Sequence, residues 1–301
     1  MITNKLKNIF ASVLLLGIVL LYSIPANSQD LDALLDKQAK PETTLATSTF
    51  KSTRIVTGHS VERMKKKQLE FRISHRFDQL NSGAYNLYGL DYGKIHFALE
   101  YGLTDWLEVG VGRGSEDKTF DGFGKFSILR QSSGAKSVPV HLSYLISTEY
   151  ISSNLNPKLT TTNSRMSYVQ QILIARKFNE SLSFQLTPTF IHRNQAPYET
   201  EKNNLFAIGT GARYKLSKRI ALNVEYYYVN RSNTATVPAT YYNPLGIGID
   251  IETGGHVFQI MLTNSQFMRE AGFIGKTTGS WSDAGIHLGF NVARVFSFIK
   301  K

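Results

Sequence analysis

From Gln68 almost to its last residue the chain alternates apolar and polar side chains in segments of eight to fourteen residues. Alternation with period two marks a strand with one greasy face and one wet face. "YGLTDWLEVGVGR", Tyr101 to Arg113, shows the unit: a strand ends, turns at Leu103-Thr104-Asp105 and comes back. On the returning strand Leu107, Val109 and Val111 form one face, and Glu108, Gly110 and Gly112 the other. Twelve such segments can be read, at 68–77, 93–103, 106–113, 120–130, 137–149, 165–178, 181–192, 204–216, 219–230, 245–252, 256–264 and 285–298.

The connections say which way the greasy faces point. "DQLNSGAYNLYGLDYG" is followed by "LTD", "ISSNLNPKLTTTNS" by "NES", "RNQAPYETEKN" by "SK", and "RSNTATVPATYYNP" by "TGG". Long and short connections in turn, with strands long enough to cross a bilayer at a tilt, describe a transmembrane barrel. A soluble sandwich has no physical reason to put its short turns on one rim. Aromatic clusters such as Tyr226 to Tyr228 lie at strand ends, where interfacial girdles belong. The expectation is an all-β, antiparallel up-and-down barrel of about twelve strands, with both termini on the periplasmic side. Its partner is outer-membrane lipid. A soluble periplasmic β protein is the structural alternative.

The N-terminus supports export. Lys5 and Lys7 precede an apolar run from Ile9 to Tyr22, and Ala26 and Ser28 stand before a cut at Gln29, the pattern of a secretory signal peptide. The expected organisation is therefore a signal peptide over 1–28, a periplasmic N-terminal segment over 29–67, and the barrel over 68–301. The N-terminal segment opens with amphipathic "LDALLDKQA" and carries a short strand candidate at Phe50 to His59. It is long enough to enter the lumen as a plug or to hang below the barrel. There is no cysteine, which removes disulfides, thiolate metal sites and thiol catalysis. The net charge of +11 is spread along the chain apart from "RMKKK" (Arg63 to Lys67), so a solvated turn or interfacial anchor explains it better than a nucleic-acid patch.

If the apolar faces meet lipid, the companion faces line the lumen. That assigns Glu70, Arg72, His96, Glu100, Glu108, Glu225, Asp250, Glu252, His287 and Asn291 to the interior. Glu70 and Arg72 opposite Glu100 could form a network that closes it. In "SYVQQILIARKF" both faces hold apolar residues, and the pattern assigns no inner side. His141 and Ser143, two apart on a strand, share a face and invite a hydrolase reading. Val140, Leu142 and Tyr144 claim the lipid side, leaving that pair in the lumen away from a lipid substrate. The seven histidines are scattered singly, without metal-ligand spacing, although His96 could meet Glu100 and Glu108 in space. "VGVGRG" lies on a strand and opens no helix, so it fails as a dinucleotide site. No catalytic residue, metal or cofactor is assigned.

"FKSTRIVTGHSVERMKKKQLEFRISHRF", "LEYGLTDWLEVGVGR" and "ETGGHVFQIMLTNSQFM" resemble an outer-membrane β-barrel family from Bacteroidota, domain of unknown function 5777, over roughly residues 48–298. The resemblance implies the barrel and its location and carries no activity. A lumen of this size falls between filled eight-stranded barrels and open porins. The expected function is a narrow pore or transport-associated barrel for small hydrophilic solutes. A non-conducting scaffold that docks a periplasmic or surface protein is the alternative. A phospholipase-like hydrolase is the distant one.

Overall fold

A computed structural model describes residues 42–231, 240–253 and 256–298. The expected signal peptide and the amphipathic stretch after it lie outside these residues. Twelve antiparallel strands close into one barrel. They are β1 (Gln68–Gln79), β2 (Gly93–Gly102), β3 (Leu107–Gly114), β4 (Thr119–Leu129), β5 (His141–Ile151) and β6 (Met166–Lys177), then β7 (Leu182–Arg193), β8 (Asn204–Lys215), β9 (Ile220–Asn230), β10 (Leu245–Thr253), β11 (His256–Thr263) and β12 (His287–Ser297). Each pairs with its chain neighbour, and β12 closes on β1 from Ser297↔Gln68 to His287↔Gln79. Closure leaves no strand edge unpaired, the condition for sheet in lipid.

The period-two reading carries through. Phe97, Leu99, Val111, Phe120, Ile146, Ile172, Phe206 and Ile260 all stand exposed on the outer face. Between them, residues of the opposite parity are buried against the interior. Near the ends of the strands, outward arginines lie over aromatic rings, Arg113 over Phe120 at 5.3 Å, Arg176 over Phe178 at 5.3 Å and Arg294 over Phe296 at 5.0 Å. Such pairs suit a membrane interface, where an apolar body and a charged tip are both accommodated.

Three local expectations change. β5 begins at His141 and not near 137, because Pro139 offers no N–H and Val138 bridges back to Ser132. The strict alternation of connection lengths lapses once: β3 and β4 are joined by only Ser115–Lys118, whereas 130–140 joins β4 to β5. Residues 50–59 form no barrel strand. A second small unit comprises residues 42–45 together with Ser132–Pro139, in which Thr44–Leu45 pairs antiparallel with Ser132–Ser133.

The N-terminal segment from Ala46 belongs to the same unit as the barrel. Lys67 N–H donates to the Gly102 carbonyl, and Phe298 N–H to that of Lys67, which ties the segment to the rim that carries the tight turns. From there it runs up inside. Phe50, Ile55, Val56, Val61, Ser60 and His59 are all buried. The connection between β11 and β12 enters too, and its one helical turn, α1 (Glu270–Gly275), is buried at every residue.

Candidate functional site: the plugged lumen

Residues 53–60 make a tight hairpin inside the barrel. Ile55 N–H donates to the Gly58 carbonyl at 2.9 Å and Ser60 N–H to that of Thr53 at 2.9 Å. A hairpin with no sheet neighbour must find other partners for its buried backbone. The wall supplies them. Glu225 accepts from Thr57 N–H at 2.8 Å and from Gly58 N–H at 3.0 Å. Gln259 donates to the Ile55 carbonyl at 3.1 Å and Asn291 to that of Val56 at 3.2 Å. Gln185 is used twice, accepting from Val61 N–H at 2.7 Å and donating to the His59 carbonyl at 2.8 Å. Lys125 donates to the Glu62 carbonyl at 2.6 Å.

The same wall makes room. A Cβ on Gly211 would lie 2.3 Å from Ile55 Cδ1, and one on Gly246 would lie 2.8 Å from Val56 Cγ1. Leu173 and Ala175 of β6 pack against Phe50, Ile55, Val56 and Val61. Val169, also on the inner face of β6, packs with Phe273 and Ile274 of the β11–β12 connection. That explains the doubly apolar β6: its inner face covers apolar side chains brought in by two inserted segments, and its outer face meets lipid. Each such buried aliphatic contributes about 1.5–3 kcal/mol to seating.

One cluster of charge lies at the base of the hairpin. Glu70 and Glu100 are register partners on β1 and β2. Arg72 bridges them, paired with Glu70 and 2.9 Å from Glu100 Oε2. Thr53 Oγ1 donates to Glu100 Oε2 at 2.8 Å, and Arg54 Nη2 lies 2.9 Å from Glu100 Oε1. Lys125 and Glu108 pair at 3.1 Å, both fully buried. Phe123 stands inward beside Gly110, its register partner, whose missing Cβ leaves space for the ring. His59 meets that ring edge-on at 4.5 Å, and Arg54 lies 5.5 Å from its centroid.

The two inserted segments meet. His59 Nε2 is 3.6 Å from Glu270 Oε1, and a Cβ on Gly58 would lie 3.3 Å from the Phe273 ring. Glu149 anchors the outer segment, accepting from Ala271 N–H at 2.7 Å and facing Arg269 at 3.5 Å. Tyr227 packs edge-on against Phe273 at 5.3 Å. Burial pushes the Glu270 carboxyl up to about 7. Burial, reinforced by Arg54, holds the His59 imidazole well below its usual value.

Of the lumen residues read from the sequence, Glu70, Arg72, His96, Glu100, Glu108, Glu225, Asp250, His287 and Asn291 are buried on the inner face. Glu252 lies on the same parity, half-exposed, and holds Lys51 at 2.6 Å. Glu70, Arg72 and Glu100 do come together. Asp250 accepts from Gln259 at 2.8 Å, and His287 sits against the Phe77 carbonyl at 2.8 Å. His96 goes elsewhere than expected, 2.7 Å from Asp121 rather than to Glu100 and Glu108. Among the described residues no group of three His, Asp or Glu is set to hold a metal ion. His141 Nε2 lies 3.3 Å from Ser127 Oγ, whereas Ser143 Oγ makes no hydrogen bond, so the suggested pair does not form. The pattern missed Lys125, Gln185, Gln259, Phe123 and the whole outer insertion. Lys125 and Gln185 were legible as polar residues of inner parity; which of them would meet the plug was not.

Among curated proteins, none matches the chain. Solved structures of similar shape include a KdgM porin (9% identity, TM-score 0.44), covering 77% of this chain and 99% of that one. Another is the Acinetobacter baumannii outer membrane protein Omp33 (8%, 0.39), covering 77% and 99%. The P. putida toluene transporter TodX (10%, 0.35) covers 78% and 90%. At such values these likenesses add nothing to what the strand pairing already shows. A family model does: it matches residues 50–296, hairpin and barrel together, and the chain belongs to the family of the membrane-bound β-barrel domain DUF5777.

Proposed function

We propose that the protein is an outer-membrane transport barrel for small hydrophilic solutes, closed by residues 50–64 and opened when they withdraw through the turn rim. One observation carries this reading: beside the apolar patch of Leu173 and Ala175, the wall takes the hairpin's backbone and Arg54 with polar side chains, Glu225, Gln259, Asn291, Gln185, Lys125 and Glu100. Such contacts contribute little net because water makes equivalent ones, only about 0.5–1.5 kcal/mol per hydrogen bond. Buried ion pairs are likewise weak evidence of stability. A permanent filler is better served by an apolar wall, as in small barrels packed by their own side chains. A polar wall suits a plug that alternates with water.

The test is single-channel conductance in a planar bilayer, comparing the full chain with a chain lacking residues 46–64. Discrete openings in the deleted form, with rare or no openings in the full chain, support a plug. Silence from a deleted barrel that is folded in the membrane sinks the pore reading and turns the question to a docked periplasmic or surface partner.

A further inference from the structure

The segment that carries the hairpin is basic: between residues 46 and 67 stand six lysines and arginines and one acid, Glu62. Only Arg54 among them reaches the charge cluster of β1–β4. There the wall itself offers three carboxylates, Glu70, Glu100 and Glu108, and two bases, Arg72 and Lys125. Both wall bases are already engaged, Arg72 by Glu70 and Glu100 and Lys125 by Glu108. The two oxygens of Glu100 divide their work. Oε2 takes Arg72 and Thr53, and Oε1 faces Arg54. Withdrawal of the hairpin would leave Oε1 without its cation and the wall one negative charge in excess.

The vacated space has a specific chemistry. Beside the carboxylate stands the Phe123 ring, over which Arg54 already lies. A planar guanidinium satisfies both, donating to the carboxylate while its face covers the ring, whereas an ammonium is compact and strongly hydrated. We propose that Glu100 and Phe123 form a guanidinium-binding site on the lumen wall, occupied by Arg54 in the closed barrel and available to guanidinium-bearing solutes that thereby favour the open one. This rests on the plug reading above and adds the class of solute. A ligand that binds only the vacated wall shifts the balance by mass action. At about four times its dissociation constant it raises the open population about five-fold.

The absence of native cysteine makes the hairpin easy to report on. Ser60 is fully buried, so Ser60→Cys in the full chain, reconstituted in liposomes, reacts with a maleimide only when the hairpin leaves. Millimolar methylguanidinium should raise the labelling rate about five-fold, in proportion to its concentration. Methylammonium or potassium at equal ionic strength should leave it within about two-fold. In the Glu100→Gln background the basal rate should rise and the guanidinium response vanish, and Phe123→Leu should weaken that response. Equal acceleration by all three cations would mean simple screening and overturn the site, as would an unchanged response in Glu100→Gln. Labelling needs no current, so the two readings fail separately. A silent deleted barrel with guanidinium-dependent labelling removes the pore and keeps the site. A conducting one with indifferent labelling does the reverse.

Discussion

Glu225 shows how much a single wall residue does for the hairpin. Its carboxylate accepts from two successive backbone N–H groups, those of Thr57 and Gly58, which have no other sheet or turn partner. Removing it strands two buried donors, and a buried donor left unpaired costs about 1–3 kcal/mol. Glu225→Ala should therefore lower hydrogen-exchange protection of residues 55–60 by roughly thirty-fold, the equivalent of about 2 kcal/mol. The amides of β9 and β10 should stay protected, because the ladder that holds them is untouched. Equal loss in strands and hairpin would show that Glu225 supports the barrel and not the plug. Phe123 and Gly110 make a similar point about geometry: a glycine opposite an inward aromatic is space reserved on the wall.

At the scale of elements, α1 and the hairpin both lie inside the barrel and touch through Glu270 and His59. Glu270 is also faced by Arg54, which favours its charge, and by Glu149 and Asp121, which oppose it. Its folded value, about 7, lies above the ordinary 4.5, so burial favours the protonated form. The seating this contributes is fully present below about pH 4.5 and is lost as the pH rises through 7. Burial holds the His59 imidazole low, which disfavours a cation beside Glu270. Exchange protection of residues 269–276 should thus fall between pH 5 and pH 8. Glu270→Gln should flatten that profile; a Gln variant with the same slope would assign the effect to another group.

For the whole molecule the decisive property is that two solvents meet one sheet. The outer face must satisfy lipid, and Ile172 stands exposed there midway along β6. Ile172→Arg should cost about 2–4 kcal/mol of barrel stability, the expected toll of a charge near the bilayer midplane. Urea unfolding from vesicles measures it. A change below about 0.5 kcal/mol, the usual size at an ordinary soluble surface, would contradict a lipid-facing β6.

Strand positions, their lipid faces and nearly all the inward residues were legible in the chain because a strand writes its two environments in alternation, residue by residue. The ends of every strand but β5 fall within two residues of the reading from sequence. The charge network of Glu70, Arg72 and Glu100 was legible for the same reason, since parity and hairpin register bring them opposite. Alternation is silent about segments that belong to no sheet. "STRIVTGHS" and "FMREAGFIGK" have no period that tells a lumen from water, and their burial follows from which wall residues lie within reach. So the local sequence determined a closed, membrane-facing barrel. Only the tertiary structure decided that two inserted segments occupy its interior, because the hairpin's partners come from β1, β2, β4, β6, β7, β9, β11 and β12, far apart along the chain and brought together only by closure.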